Sequence, residues 1–290
     1  VRSITAGATG LLVPATDDIL RRFTESASTP ENLAMPTDHF HQWFADRRAA
    51  GSFEVTRVPL DRLDGWRFDT GTGNLAHDSG RFYSIEGLRV VTDHRTVTTW
   101  SQPIIVQPEI GILGILVKEF NGVLHCLMQA KMEPGNVNLV QLSPTVQATR
   151  SNYTRVHQGA AIPYLEHFLA PRRGRVLVDA LQSEQGAWFL HKRNRNIVVE
   201  VTADVPLLPD FCWLTLAQLQ ELLKIDNLVN MDTRTVLSAI PFAAPVDRPS
   251  VFWEDSFRGG LMRSMAAEHG ALNETPRVLS WFTEIKARHS

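Results

Sequence analysis

The chain has 290 residues, 43% hydrophobic and 21% charged, with a net charge of −2 at pH 7. This is the balance of a globular protein long enough to bury a sizeable core. It excludes a broad basic field for gripping a nucleic-acid backbone, and no run of about 18 apolar residues is available to span a membrane.

Residues 1–36 read as an N-terminal arm. A short helix is predicted from Thr16 to Ser26, where Asp17 and Asp18 complement the helix dipole, and a Pro-bearing linker follows. A second helix is predicted from a Thr37 cap through Phe40, Trp43 and Phe44 to Gly51. The pattern then changes to period two at 53–58, suggesting a strand. Further strands are predicted at 82–91 and 96–100, after glycine-bearing turns at 71–73 and 79–80. The most definite element is a β-hairpin: apolar residues 111–120, an Asn121-Gly122 turn of type I′, and a return arm over 123–133. A second hairpin is expected around Gln185-Gly186, with arms near 176–184 and 187–201. Helices are predicted at 160–169 and 215–224, the latter opening on Thr215 and Gln218 in capping-box spacing. Strands and helices mix without regular alternation, so the fold class expected is α+β. Cys126 and Cys212 sit in apolar runs and read as buried, reduced thiols.

One internal echo is notable. Trp43 to Ala49 resembles Trp281 to Ala287, each preceded by a Thr that can cap a helix, Thr37 and Thr275. The expectation is a duplicated protein in which 37–242 forms a first module and 243–290 a linker with the first helix of a second.

Chemistry concentrates after the first hairpin turn. Along 123–133 the even positions are apolar, while His125, Gln129, Lys131 and Glu133 share the other face. That face is either a ligand surface or simply solvated. The odd positions of 141–157 include Thr145, Gln147, Thr149, Tyr153, Arg155 and His157. Such medium-sized hydrogen-bonding groups suit a sugar better than a plain solvated surface, which would favour Lys and Glu. Gln129, Thr145, Gln147 and Thr149 are therefore candidate substrate contacts, and Asn136 and Asn152, beside these rows, are candidates as well. In the basic run 191–196, Arg195 and Asn196 are candidates for a diphosphate, because a guanidinium offers two parallel charge-assisted bonds. Trp66 suits stacking on a base and His77, in a Gly-bearing loop, suits a ligand contact, although such aromatics are more often core. His39 and His41 lack a third ligand at useful spacing, so no metal is assigned. There is no dinucleotide fingerprint, phosphate-binding glycine loop or nucleophile elbow.

The block from Leu127 to Asn136, with Gln141 to Thr149 and Ser151-Asn152-Tyr153, resembles the signature of the NDP-hexose 2,3-dehydratase family. Trp66, Gly71-Thr72-Gly73, His77, Ser79-Gly80, Trp100 to Pro103, Gln182 to Gly186 and Arg193 to Asn196 extend the resemblance over about residues 37–242. The resemblance implies a bacterial cytoplasmic enzyme of deoxysugar biosynthesis, acting without a cofactor on dTDP-4-keto-6-deoxyglucose. It implies a Nudix-like mixed sheet with packed helices, two modules per chain, and homodimers. The hydrolase box of true Nudix enzymes is absent, which argues against metal-dependent pyrophosphate cleavage.

The chemistry implied is removal of the C3 proton next to the C4 ketone, followed by loss of the C2 hydroxyl. Glu133 is the expected base, Lys131 the group stabilising the enolate, and Tyr153 the acid. Desolvation of Lys131 would allow the first two roles to be reversed. A non-catalytic dTDP-sugar-binding module is the alternative.

Overall fold

The computed structural model describes residues 17–94, 96–149, 161–169, 174–241 and 275–289. They have the α+β character expected, with the strands in two sheets. The larger sheet contains β5 (Gly111–Phe120), β6 (Val123–Met132), β7 (Val140–Ser143), β8 (Val146–Ala148), β9 (Arg175–Ser183), β10 (Arg193–Glu200) and β11 (Phe211–Thr215). Its main path runs β11-β6-β5-β10-β9. Only the β5–β10 pairing is parallel among these neighbours.

The Asn121-Gly122 hairpin forms as expected, with φ of 50° and 83° at its two turn residues. Both lie in the left-handed region that a type I′ turn demands. The hairpin arms pair from the turn only as far as Leu116 and Leu127. Beyond that point they separate, and the next segment fills the gap: β7 pairs with β6 and β8 with β5. Thr145, between β7 and β8, sits in this fork. Its Oγ1 accepts from the Leu116 amide at 2.9 Å and donates to the Leu127 carbonyl. One buried side chain thus satisfies two main-chain groups that strand pairing no longer reaches.

β5 is buried on both faces. Leu113, Ile115 and Val117 face a core formed with Phe23, Phe40, Met128, Leu219 and Val236. Ile112 and Leu116 face a second core with Leu127, Ile197, Phe168, Phe211 and Trp213. This explains the continuous apolar run of its sequence. The first face is covered by α1 (Asp17–Ser28), α2 (Thr37–Ala49), α4 (Leu216–Leu222) and α5 (Met231–Ser238). On the second lies the single turn α3 (Glu166–Leu169), whose Phe168 is fully buried. The segment read as an arm therefore supplies core residues: Ile19, Phe23 and Ala27 are buried. Arg22 anchors it by ion pairs with Glu119, at 2.7 Å, and Glu200.

The smaller sheet runs β1-β2-β3-β4, comprising Trp66–Phe68, Leu75–His77, Ser84–Val91 and Thr99–Val106. It is tied to the loop between β9 and β10 by a parallel bridge of Ile105 with Phe189. Gln102 adds a 2.8 Å bond from Nε2 to the Ala187 carbonyl.

Several local expectations change. Residues 53–58 form no strand, and Phe53, Val55 and Val58 are exposed; alternation without a neighbouring strand to bond does not make one. Thr37 is the first helical residue of α2, not its cap, and its hydroxyl accepts from Gln218 Nε2 at 3.3 Å. The second hairpin closes at Ser183 and Arg193, leaving residues 184–192 as a loop where a tight Gln-Gly turn was expected. The predicted helix at 160–169 is regular only over Glu166–Leu169 within the described residues. The capping box of α4 forms with both of its hydrogen bonds. Cys126 and Cys212 are free and buried as expected. A helix, α6, occupies Thr275–His289. Its Trp281 and Phe282 are exposed, whereas Phe44 of α2 is in the core.

Candidate active site

Where β6 ends, its polar face continues the alternation read from the sequence. Lys131 and Glu133 lie two residues apart, and Lys131 Nζ stands 3.4 Å from Glu133 Oε1. The same oxygen accepts a 2.6 Å bond from Gln147 Nε2 of β8. Both ion-pair partners are about a quarter exposed, at 26% and 28%, so the group is open to a ligand yet largely shielded. Gln147 is itself fixed: its Oε1 accepts from Asn230 Nδ2 at 3.1 Å. Asn230 is buried, bonds Ser143 Oγ at 2.9 Å, and caps α5 by accepting from the Thr233 amide at 2.8 Å. The cap of one helix therefore sets the orientation of a strand glutamine, which in turn holds the carboxylate.

α5 brings in a residue that sequence reasoning missed. Asp232, in its first turn, stands near Glu133, Glu184 and Lys131. Burial, then the negative charges of Glu133 and Glu184, push its carboxyl up to about 6, against the opposite pull of Lys131. Glu184 lies in the loop after β9, and its Oε2 accepts from Asn194 Nδ2 of β10 at 2.7 Å. The only sequence signal for Asp232 is Asn230 before it, an ordinary helix-start pattern.

The other candidates are distributed more widely. Gln129 is half-buried on the face of Lys131, opposite Phe211 of β11. His125, further along that face, is buried beside the Val123 carbonyl, and burial lowers its proton affinity. Asn136 belongs to the turn after β6, where its Nδ2 donates to the Leu139 carbonyl at 3.2 Å. Thr149 is half-buried just past β8. The hydroxyl of Thr145 is engaged with the main chain of the hairpin fork. Tyr153 and Asn152 lie outside the described residues.

Arg195 is forked onto Asp179 of β9, with bonds of 2.8 and 2.6 Å to its two oxygens. Its guanidinium therefore already has a carboxylate partner. Asn196, on the adjacent position and opposite face, is fully buried and donates to Gln182 Oε1 at 2.9 Å. Lys192 is also buried; its ammonium donates to the Glu109 carbonyl and burial lowers its pKa. Trp66 and His77 belong to the smaller sheet. Their rings meet edge to face with centroids 5.4 Å apart, alongside Phe82 and Tyr83, and His77 Nδ1 is 2.9 Å from Ser79 Oγ. A concavity of about 550 Å³ lies on this sheet, lined by Phe68, Leu75, Ile85 and Gln102 among others. Among the described residues no three His, Cys, Asp or Glu side chains are grouped to hold a metal ion.

The geometry thus gathers Lys131, Glu133 and Gln147 and adds Asp232, Glu184 and Asn230. Three carboxyls and an ammonium at one place can move protons and face a developing negative charge.

The profile of the NDP-hexose 2,3-dehydratase family matches residues 37–240. A dTDP-4-dehydro-6-deoxy-alpha-D-glucopyranose 2,3-dehydratase from Saccharopolyspora spinosa is 58% identical over 271 residues, covering 93% of this chain and 55% of that protein. Proteins of the same description from Streptomyces violaceoruber and Amycolatopsis orientalis are 53% and 49% identical, covering 87% and 94% of this chain and 54% of each relative. The chain spans about half the length of these curated relatives. All three alignments and the profile run through the segment carrying Lys131, Glu133, Gln147 and Asp232, and on that agreement the chain belongs to the NDP-hexose 2,3-dehydratase family.

Proposed function

We propose that the protein acts as a 2,3-dehydratase on dTDP-4-keto-6-deoxyglucose, in a deoxysugar pathway serving natural-product glycosylation. The reading is supported by the three relatives' shared description and by one observation at the site: a carboxylate, an ammonium and an amide converge at the ends of β6 and β8. Glu133 takes the C3 proton, which the C4 ketone makes acidic. Lys131 faces the enolate oxygen, where a positioned cation can contribute about 3–4 kcal/mol. Gln147 holds Glu133, Gln129 and Asn136 border the sugar, and Tyr153 is a candidate for the proton that accompanies the departing C2 hydroxyl.

The same reading takes residues 37–242, with α1 packed into their core, as a Nudix-like module that works as part of a homodimer in the cytoplasm. No helix among the described residues is long and apolar enough to cross a membrane.

The test is mass spectrometry of the purified chain incubated with dTDP-4-keto-6-deoxyglucose, with a diamine added to trap a 3,4-diketo sugar. Loss of one water from the sugar nucleotide is expected. Unchanged substrate with thymidine nucleotide still bound would replace this reading with that of a sugar-nucleotide-binding module.

A further inference from the structure

Asp232 is a group at this site to which strand parity assigns no role. Asn230, which caps the helix carrying Asp232, also bonds Gln147, so the carboxyl is placed by the same element that orients Glu133. The charged groups facing it are Lys131 and Glu133 from the end of β6, and Glu184 from the loop after β9. A second observation comes from β10, whose Asn194 holds Glu184. Two residues on, and on the same strand face, the buried Asn196 leaves its Oδ1 without a hydrogen-bond partner among the described residues. Buried carbonyl oxygens are seldom left this way unless a ligand or water uses them.

We propose that Asp232 is the general acid of the elimination, giving its proton to the C2 hydroxyl as that group leaves. The proposal rests on the dehydratase reading above and gives to Asp232 the step for which the sequence offers Tyr153. Glu133 takes the C3 proton, and the C3–H electron pair becomes the C3–C4 double bond of an enolate facing Lys131. The enolate then re-forms the C4 ketone. Its electron pair becomes the C2–C3 double bond, and the C2–O bond breaks as Asp232 protonates the departing oxygen to give water. Glu133 is now protonated and Asp232 ionised. Ketonisation of the C3 enol resets both: C2 takes the proton held by Glu133, and the C3 hydroxyl returns one to Asp232. Carboxyls divide acid and base roles in this way when their surroundings separate their proton affinities. Here burial and the two anions Glu133 and Glu184 favour the proton on Asp232, and Gln147 holds Glu133 in place by its 2.6 Å bond.

The experiment follows two signals in deuterated water: deuterium entering C3 of dTDP-4-keto-6-deoxyglucose, by NMR, and water loss, by mass spectrometry. Wild type is compared with Asp232→Asn, Asp232→Glu and Tyr153→Phe. Asp232→Asn is expected to slow water loss by about 10²- to 10⁴-fold while C3 deuteration continues, because the base is intact. Asp232→Glu should recover part of the loss. In wild type the rate of water loss should fall as pH rises through the titration of the acid, and this fall should be missing from Asp232→Asn. Water loss by Asp232→Asn within about threefold of wild type would overturn the role, since a general acid is worth far more. So would the disappearance of both signals together, or exchange without elimination in Tyr153→Phe alone. A wild-type chain that neither exchanges nor dehydrates overturns the dehydratase reading itself, and the role of Asp232 with it.

Discussion

Glu133, just past the end of β6, and Gln147 of β8 lie 14 residues apart in sequence and are joined by a 2.6 Å hydrogen bond. Gln147 reaches Glu133 only because the hairpin arms part at Leu116 and Leu127 and admit β8 beside β5. Replacing Gln147 by Ala should reduce dehydration about 10- to 100-fold, since a hydrogen bond to a charged group is worth about 1.5–3 kcal/mol. Steady-state kinetics should place the loss in kcat, with nucleotide affinity little changed.

Asp232 links the site to stability. Its folded carboxyl is raised from the ordinary value of 3.8 to about 6. Between those values the native state binds more protons than the unfolded chain, so stability falls as pH rises through that window. The penalty is complete above about pH 6 and absent below about pH 4, with an upper bound of about 3 kcal/mol. Asp232→Asn should therefore raise the melting temperature at pH 8 and lose that advantage by pH 4. Calorimetry at both pH values checks the sign, and an equal gain at each would contradict it.

Thr145 should matter for folding through its hydroxyl. Thr145→Val keeps the shape but leaves the Leu116 amide and Leu127 carbonyl without their partner. Each abandoned buried group costs about 1–3 kcal/mol, so urea unfolding should show a midpoint well below wild type. Thr145→Ser, which retains the oxygen, should lie close to wild type.

Gly114 is required by packing on the second face of the sheet. A Cβ there would stand 2.5 Å from the ring of Phe168, which is fully buried. Gly114→Ala should destabilise by about 1–3 kcal/mol through overpacking. Adding Phe168→Leu should recover part of that loss in a double-mutant cycle, because the two changes share one contact.

Much of the fold is written in short stretches of sequence. Asn121-Gly122 dictates its turn because few other pairs tolerate left-handed backbone at both positions. Thr215 and Gln218 dictate a helix start because their side chains reach each other's main chain. Alternation along β6 places Leu124, Cys126, Met128 and Ala130 in one core and Lys131 on the opposite face, but that face is itself buried at His125 and Leu127 and opens only from Gln129 onward; the family is legible in the block from Leu127 to Asn136. These features depend on neighbours a few residues away, so the chain determines them before any long-range contact forms.

Tertiary structure alone decides the rest. Alternation at 53–58 promised a strand, but no neighbouring strand is there to bond it. A row of polar residues from Gln141 onward looked continuous, yet the crossing at the hairpin fork gives Thr145 to the main chain and Gln147 to the site. Arg195 looked like a phosphate ligand until β9 set Asp179 beside it. Asp232 carries no local mark of chemistry beyond an ordinary helix start. Its burial and its nearness to Glu133 and Glu184 arise from the packing of α5 against β5, β7 and β10, and proton affinity follows from that dielectric and those charges rather than from residue type.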